Sequence, residues 1–467
     1  MFERFEELTG TIANLAWGPP LVALLVGGGI FFVIMSRFKP YLYFGHAVGV
    51  LTGKYDDPKA EGDINHFQAL SAALAATVGM GNIGGVAVAI TMGGPGAIFW
   101  MWVSAVVGMA TKFFTCTLSI MYRGRDSEGK LQGGPMYVIR EGLGKKWMPL
   151  AYFFSFCGLL GCLPMFQANQ LTQIIRDSVL VPMAVVSPEA HFTSDLITGL
   201  ILMGIVALVI FGGIKRIGTV AATLVPFMVV LYVIGVVYIL IINIEVVPYY
   251  LGLIVSDAFR GEYVNSESLL GGAVGAVIII GVRRAAFSNE AGIGTESMAH
   301  GAAKTNEPVR EGLVAMLEPA IDTLLVCTMT ALAILVTGVW LNTDTDGVTL
   351  TAMAFSVGLP TIGVPILIVC VSIFALTTMF TYSYYGSKCL GFLAGADKKP
   401  YFNYFYALSI VVGSVLSIGA VINILDSAFA MMAIPTMLST ILLAPKVVAA
   451  AKDYFARYDR GDFSNED

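Results

Sequence analysis

Two short runs of unusual residues interrupt stretches of the sequence that are otherwise apolar. The first covers residues 75–85 and contains four glycines and an asparagine, in the order Ala-Ala-Thr-Val-Gly-Met-Gly-Asn-Ile-Gly-Gly. Gly in a helix interior costs about 1 kcal/mol relative to Ala, and it lets the backbone approach a ligand closely. This run therefore predicts a helix that opens and offers its N–H and C=O groups, with the amide of Asn82, to a small polar ligand.

The second run covers residues 283–295. Five of its first eight residues have polar side chains, and these are Arg283, Arg284, Ser288, Asn289 and Glu290. Such groups are costly in a helix that faces lipid. Unpaired backbone groups are tolerated at membrane depth only where they face protein or a water-filled cavity. We therefore predict that this helix also opens in mid-membrane and exposes backbone groups to a cavity.

The composition indicates that both runs belong to a membrane protein. Of 467 residues, 57% are hydrophobic and only 13% are charged, whereas soluble domains have about 25% charged residues. The net charge of −5 provides no basic field that would attract nucleic acid. Intrinsic disorder and a secreted disulfide scaffold are excluded as well, and the six Cys and four His show no metal-ligand spacing.

Helices long enough to cross a membrane must position the two runs. A bilayer core of about 30 Å requires roughly 20 apolar residues per helix, and eleven stretches satisfy this requirement. We number them segments 1 to 11, with the two runs in segments 2 and 7. Their predicted bounds are 18–35, 69–92, 97–121, 148–179, 195–213, 218–243, 268–303, 311–338, 362–387, 402–421 and 424–446. The predicted fold class is an all-α polytopic membrane protein with eleven transmembrane helices.

The basic residues predict the orientation of these segments. Of the 27 Lys and Arg residues, 21 fall in the connections that would lie on one side of the membrane, together with the C-terminus. The positive-inside rule makes that side cytoplasmic and places the N-terminus outside. The acidic flank before segment 1, with Glu3, Glu6 and Glu7, argues against a signal peptide.

The spacing of the two interrupted segments predicts an inverted repeat. Segments 2 to 6 and segments 7 to 11 form two sets of five, and each set begins with an interrupted helix. Because five is odd, the second set enters the membrane from the opposite side. The predicted units are an N-terminal span with its linker (1–60), two repeats (61–245 and 246–450) and a cytoplasmic tail (451–467), which we expect to be irregular from Asp453. Such paired interruptions are typical of secondary transporters that bind their substrate at the midplane.

Other interpretations of the same residues remain open. Residues 79–84 match the dinucleotide pattern G-x-G-x-x-G, but no strand precedes them and no acidic residue follows about 20 positions later. The glycines also suit close helix packing. Arg283 and Arg284 either contact a substrate or pair with Glu290 or another buried acid.

Acidic residues within the segments are alternative coupling elements. Glu318 and Asp322 lie one turn apart on segment 8, and Asp426 begins segment 11. A proton-coupled carrier would use such groups as a relay. The structural alternative is that they pair with Lys112 or Arg284.

At these positions the sequence resembles a known family. Residues 78–82 (Val-Gly-Met-Gly-Asn) are similar to the V-G-x-G-N run in the unwound first helix of LeuT-fold sodium-coupled amino-acid transporters. Residues 81–87, 133–137, 167–169 and 287–292 resemble the alanine or glycine:cation symporter (AGCS) family. The resemblance covers nearly the whole chain. It implies a LeuT-like 5+5 inverted repeat of the amino acid-polyamine-organocation superfamily, preceded by one extra helix.

The resemblance also implies which residues form the site. Those implied for substrate binding are Thr77, Gly79, Met80, Gly81, Asn82, Gln167, Phe287, Ser288 and Tyr382. Those implied for a sodium site are Ala75 and Val78, through their carbonyls, and Thr377 and Thr378, through their hydroxyls. Many members have Gly-Trp where this chain has Thr381-Tyr382, so the accepted side chain is expected to depend on Tyr382.

The predicted function is therefore sodium-driven uptake of alanine, glycine or another small neutral amino acid by alternating access. The alternative within this class is a proton-coupled symporter or an amino-acid exchanger on the same fold. A channel would need a ring of filter residues, and a membrane-embedded enzyme would need a nucleophile–base cluster; the sequence shows neither. We expect a monomer in the inner membrane that is not an enzyme, with sodium as coupling ion and no other cofactor, metal or nucleic-acid partner.

Overall fold

Helices make up most of the protein. The computed structural model describes residues 2–57, 59–187, 191–265, 272–341, 345 and 347–463. Within these residues the strands are two short ones, β1 (Gly124–Arg125) and β2 (Leu131–Gln132), which pair antiparallel with Gly124 opposite Gln132. The prediction of an all-α membrane protein is confirmed.

The first half of the chain contains segments 1 to 6. Segment 2 begins at a capping box, in which Asn65 Oδ1 accepts from Gln68 N (2.8 Å) and Gln68 Oε1 accepts from Asn65 N (3.1 Å). The helices of the six segments are Phe2–Ala16 and Pro19–Met35, His66–Thr77 and Gly81–Gly93, Gly96–Met121, Met148–Gly161 and Met165–Ile175 with a π-helical turn Arg176–Leu180, Phe192–Ile210, and Gly213–Ile242. The connections hold the short helices Lys39–Leu42, Phe44–Leu51, Pro135–Tyr137, Val138–Leu143 and Lys145–Trp147.

The second half contains segments 7 to 11. Segment 7 opens between Asn289 and Glu296, as predicted, and segment 8 includes a π-helical stretch. The helices of these segments are Gly272–Asn289 and Glu296–His300, Pro308–Ala315, Leu317–Pro319, Ala320–Cys327 (π) and Thr328–Val336, Gly363–Ala394, Lys399–Val415, and Ile418–Asp459. The connections hold Val247–Asp257, Val339–Leu341, Gly347–Gly358 and Ala396–Lys398.

The number of crossings depends on how segments 2 and 10 are counted. Nine helices of the described residues are long and apolar enough to cross a membrane, and ten if the two parts of segment 2 form one crossing. The helix of segment 10, Lys399–Val415, has 17 residues, whereas each of the nine helices has at least 18. Eleven crossings therefore stay a prediction.

The interrupted segments lie at the centre of the helix bundle. The first part of segment 2 packs against segments 6 and 9, and the first part of segment 7 packs against segment 3. Segments 5 and 6 are peripheral, because only 33% of their most apolar stretch is buried, compared with 67% for segments 3, 8 and 11. The apolar faces of the outer helices thus cover a core in which both openings are buried.

The C-terminal tail differs from the prediction. The helix of segment 11 continues to Asp459, so the expectation of irregular chain from Asp453 is wrong. Arg457 forms ion pairs with Glu307 (2.7 Å), in the connection before segment 8, and with Asp453 one turn earlier (2.9 Å). These contacts extend the helix beyond the apolar residues that the membrane requires.

Candidate functional site

The interruption in segment 2 is bridged by the side chain of Asn82, which belongs to the second part of the same segment. The helix His66–Thr77 ends at Val78, which has an extended backbone (φ −72°, ψ 90°), and the next part turns away by 52°. Asn82 Oδ1 accepts a hydrogen bond from Gly79 N (2.8 Å), and Asn82 N donates to Gly79 O (3.1 Å). The amide of Asn82 therefore holds the two parts of the segment in register.

Asn82 also connects this opening to segment 8. Its Nδ2 donates to Asp322 Oδ1 (2.6 Å) and Asp322 O (3.0 Å). Ser288 Oγ, next to the opening of segment 7, donates to the second carboxylate oxygen of Asp322 (2.8 Å). Asp322 lies in the π-helical stretch of segment 8, a geometry that is frequent at functional sites. The Asp322 carboxylate thus accepts hydrogen bonds from an amide nitrogen and from a hydroxyl, and it joins the two interrupted segments.

The opening of segment 7 is held by a carboxylate. Glu290 has a left-handed backbone (φ 55°), as do Gly292 (φ 88°) and Gly294 (φ 96°). The Glu290 carboxylate accepts hydrogen bonds from Tyr382 of segment 9 and from Thr295. These bonds satisfy both carboxylate oxygens of a fully buried residue and tie this opening to segment 9.

The second part of segment 2 contacts the last turn of the helix that precedes the opening of segment 7. A Cβ atom built on Gly81 would lie 3.3 Å from Ser288 Cα and 3.5 Å from the carbonyl oxygen of Phe287. Only a residue without a side chain lets the two backbones approach this closely without displacement. The structure thus brings together Gly81, Phe287 and Ser288, three of the residues predicted to bind substrate.

Aromatic rings form one wall beside this contact. The Phe287 ring lies perpendicular to the Phe166 ring (centroids 5.1 Å apart) and near the Phe429 ring (5.8 Å). Gln167 directly follows Phe166 and is only 4% exposed. Within the described residues its Oε1 atom has no hydrogen-bond partner. A buried acceptor without a donor is costly, and a ligand ammonium would supply that donor.

Two of the residues predicted to bind sodium lie at the end of the first part of segment 2, and the other two lie in segment 9, which packs against it. Ala75, Val78, Thr377 and Thr378 are all buried. A Cβ on Gly79 would lie 2.6 Å from Thr378 Oγ1, so this hydroxyl packs directly against the opening. Thr377 Oγ1 instead points toward Met228 Sδ of segment 6 (3.8 Å). Thr378 is thus adjacent to Gly79, whereas the hydroxyl of Thr377 faces segment 6.

Thr77, Met80 and Tyr382 complete the predicted substrate set. Thr77 Oγ1 donates to Glu318 Oε1 (2.9 Å) of segment 8, and Met80 is fully buried. Tyr382 directs its hydroxyl to Glu290, on the side of the opening of segment 7. The roles of all these residues in binding stay predictions.

Buried acids and bases form ion pairs whose partners could not be assigned from the sequence. Asp426 binds both Arg283 (2.6 Å) and Arg284 (2.5 Å), so the two arginines pair with a buried acid other than Glu290. Lys112 pairs with Glu318 (2.6 Å). The sequence singles out Asp322 as an acid at membrane depth. It does not predict the central position of Asp322, because the partners of this carboxylate come from segments 2 and 7.

Comparison with known proteins identifies the family. The model of the sodium:alanine symporter family matches residues 2–466. The chain belongs to this family. It is 38% identical over 458 residues to the sodium/alanine symporter AgcS of Methanococcus maripaludis, covering 96% of this chain and 97% of that protein. It is 39% identical over 463 residues to an uncharacterized transporter of Haemophilus influenzae (97% and 96% covered). It is 31% identical over 462 residues to the amino-acid carrier protein AlsT of Bacillus subtilis (98% and 94% covered).

Similarity to a solved structure shows the fold of this protein. The crystal structure of MhsT in complex with L-phenylalanine superposes with a TM-score of 0.56 and covers 83% of this chain and 98% of MhsT, at 12% identity. The fold is LeuT-like, as predicted. The protein is a multi-pass membrane transporter and not an enzyme.

Proposed function

We propose that this transporter couples inward sodium flow to uptake of small neutral amino acids, with alanine and glycine as its substrates. The observation that carries the proposal is the contact between the two interrupted segments, where Gly81 lies against Phe287 and Ser288. Two interrupted helices meeting in the core of an inverted repeat are the arrangement with which secondary transporters bind small polar substrates.

The substrate carboxylate would bind at the second part of segment 2. A helix that restarts after an opening has N–H groups without intrahelical partners and the positive end of its dipole at that point. Met80 and Gly81 form this start, because the N–H of Asn82 already donates to Gly79 O (3.1 Å). The ammonium group would be bound by the carbonyl of Phe287 and by Gln167 Oε1, which has no donor within the described residues. A zwitterion would thus be bound mainly by neutral groups.

The aromatic wall supports a small side chain. Phe166, Phe287 and Phe429 have ring centroids 5.1 and 5.8 Å apart, and all three are buried. Such packing leaves room for a hydrogen or a methyl group more readily than for a larger side chain, because a packed core resists added volume.

The sodium ion would bind between segments 2 and 9. The carbonyls of Ala75 and Val78 and the hydroxyl of Thr378 provide oxygen ligands without a formal charge. The hydroxyl of Thr377, which faces segment 6, would join them after a rotation of its side chain. One charge that moves through a membrane potential of about 100 mV releases roughly 2.3 kcal/mol, which drives uptake. We further propose that the N-terminus lies outside and the C-terminus in the cytoplasm, since 21 of 27 basic residues then face inward, and that a monomer in the inner membrane is the functional unit.

Uptake measurements test this proposal. Radiolabelled alanine should accumulate in proteoliposomes severalfold above its external concentration when an inward sodium gradient is imposed, and only equilibrate without it. Equal uptake in both conditions would contradict sodium coupling. Accumulation driven by an inward proton gradient alone would instead favour the proton-coupled alternative.

A further inference from the structure

A second cluster of buried ionisable side chains lies on one side of the opening of segment 2. It joins segments 2, 3, 7 and 8, and each of its members is at most 1% exposed. We call it the inner cluster. Its members are His66, Lys112, Glu296, His300, Glu311 and Glu318.

Contacts within the inner cluster form a continuous chain. Glu311 of segment 8 accepts hydrogen bonds from His66 Nδ1 and from His300 Nδ1 (2.5 Å). His300 Nε2 faces Glu318 Oε2 at 3.8 Å. Glu318 in turn pairs with Lys112 Nζ (2.6 Å) and accepts from Thr77 Oγ1 (2.9 Å). The chain therefore runs from the first residue of segment 2 to the last residue before its opening.

The charges of the inner cluster balance only if protons are added. If Glu296, Glu311 and Glu318 are all ionised, they bear three negative charges against one positive charge on Lys112, so the cluster has a net charge of −2 when both histidines are neutral. A buried excess of charge is costly unless it is compensated. Histidine is the side chain that ordinarily gains or loses a proton near neutral pH, and the cluster contains two.

His300 is the histidine placed to take up a proton. Its Nδ1–H donates to Glu311, which leaves Nε2 as the free position of the neutral ring. Within the described residues neither His300 Nε2 nor Glu318 Oε2 has a hydrogen-bond partner. A proton on Nε2 would create a donor that faces this acceptor, and a charged imidazolium would then lie between two carboxylates.

Three other ionisable groups next to the cluster have partners of their own. Glu290 is bound by Tyr382 and Thr295. Arg310 donates to the carbonyl of Tyr55 (3.0 Å), and Arg123 donates to that of Gly301 (3.0 Å). Cys116 of segment 3 and Tyr385 of segment 9 also lie within electrostatic range of Glu296 and Glu318, and both are neutral in their protonated forms.

The positions of the inner cluster make it a latch for segment 2. His66 and Thr77 are eleven residues apart, about 16 Å along a helix, and they bind Glu311 and Glu318, which lie two turns apart on segment 8. If the first part of segment 2 moves away from segment 8, both contacts break at once. In the proposed orientation all members lie between the cytoplasm and the opening.

We propose that His300 is a proton-binding site that keeps the cytoplasmic path closed, and that its proton comes from the cytoplasm and returns there. An N–H bond forms at Nε2 as hydronium becomes water, and it breaks in the reverse way when segment 2 swings out. The proton is a ligand of the closed state and is not transported. This inference rests on the proposed function and orientation.

Transport by proteoliposomes of verified right-side-out orientation tests it. At fixed external pH and sodium gradient, the initial rate of alanine uptake should rise at least about threefold between luminal pH of about 7 and about 9.5, because two carboxylates hold the proton more firmly than water does. His300→Gln, which keeps an N–H for Glu311 but has no titratable nitrogen, should give a flat profile. His191→Gln, which changes a histidine that contacts Asp195 (2.7 Å) outside the cluster, should keep the wild-type profile.

Two results would overturn the proposal. One is a His300→Gln profile that matches the wild type. The other is an acidification of the lumen during alanine uptake that is lost in His300→Gln, because the proton would then be carried across.

A labelling experiment needs no substrate and separates this inference from the proposed function. Ser71 is buried in the first part of segment 2, and Glu128 is exposed in the connection between β1 and β2. Labelling of Ser71→Cys from the cytoplasmic side by a maleimide, divided by that of Glu128→Cys at the same pH, should rise at least about threefold from about pH 7 to about pH 9.5. A constant ratio would refute the latch even if alanine uptake is sodium-driven. A rising ratio without sodium-driven uptake would leave the latch in place and refute the transport proposal.

Discussion

Segment 2 opens without a charged residue, whereas segment 7 opens at Glu290. At the first opening Asn82 accepts from Gly79 N and the chain turns by 52°. At the second, Glu290 is bound by Tyr382 and Thr295. The first opening is closed by a neutral amide of its own segment, and the second is anchored by an ionisable group to a different helix.

Glycine also serves different purposes at the two openings. Gly292 and Gly294 have positive φ angles of 88° and 96°, a conformation that other residues adopt at a cost. Among the described glycines, Gly79 and Gly81 are not in this class. They are glycines because Thr378 and Ser288 lie where a Cβ would point. The first opening needs only space for close neighbours. The second needs a left-handed backbone as well, because a Cβ on Gly292 or Gly294 would also lie 2.6 Å from a neighbouring atom.

The largest expected effect is at the neutral opening. Asn82→Ala should weaken alanine binding at least about a hundredfold, because Gly79 N and the Asp322 carboxylate both lose a buried hydrogen-bond partner, at about 1–3 kcal/mol each. Titration calorimetry on the purified protein would measure this, with size-exclusion chromatography to verify folding. Retained affinity in a folded variant would remove Asn82 from the site.

Replacing single glycines by alanine should separate the effect of added side-chain volume from the effect of backbone conformation. Gly79→Ala should lower the free energy of unfolding by about 2 kcal/mol through overpacking, and the added change Thr378→Ala should restore most of it. Gly292→Ala should cost a similar amount, about 1–2 kcal/mol, through its left-handed backbone.

Truncation of a neighbour is the control for Gly292→Ala. A Cβ there would lie 2.6 Å from Leu25 Cδ2, yet Leu25→Ala should not restore stability, because the strain lies in the backbone. Thermal unfolding in detergent measures all four variants. Equal rescue in both pairs would contradict the distinction between the two openings.

A smaller effect is expected for the ion. Thr378→Ala should raise the sodium concentration for half-maximal uptake about tenfold, the loss of roughly 1.4 kcal/mol from one oxygen ligand, with little change in the preference between alanine and glycine. Thr440→Ala is the matched control. The Thr440 hydroxyl donates to the carbonyl four residues earlier (2.7 Å to Thr436 O), as the Thr378 hydroxyl does to Phe374 O. An unchanged sodium activation curve would exclude Thr378 from the ion site.

The last prediction concerns the opening at Glu290. Tyr382→Phe removes one of two donors to Glu290 and should lower the free energy of unfolding by about 1–2 kcal/mol. Tyr232→Phe should cost less, because its hydroxyl contacts the neutral Thr330 (2.7 Å). Chemical denaturation of both variants would compare them. A larger loss in Tyr232→Phe would argue that Glu290 does not depend on its tyrosine.

Local features of the sequence determined much of this protein. The glycines at 79–85 and the polar run at 283–290 predicted both openings, because neither run is compatible with an uninterrupted helix in lipid. Scarce charge predicted the membrane, and the resemblance of residues 78–82 and 287–292 indicated the family that the comparisons confirm. Each of these signals is contained within a few neighbouring residues, so it can be read without knowing the fold.

Only the tertiary structure decided which distant groups meet. Asp426 binds Arg283 and Arg284 across more than 140 positions, and Asp322 joins Asn82 to Ser288. The continuation of segment 11 to Asp459 likewise depends on Glu307, 150 residues before its partner Arg457. A buried charge requires a partner wherever the packed helices can supply one. The sequence shows that need, but the choice of partner depends on how all the segments pack.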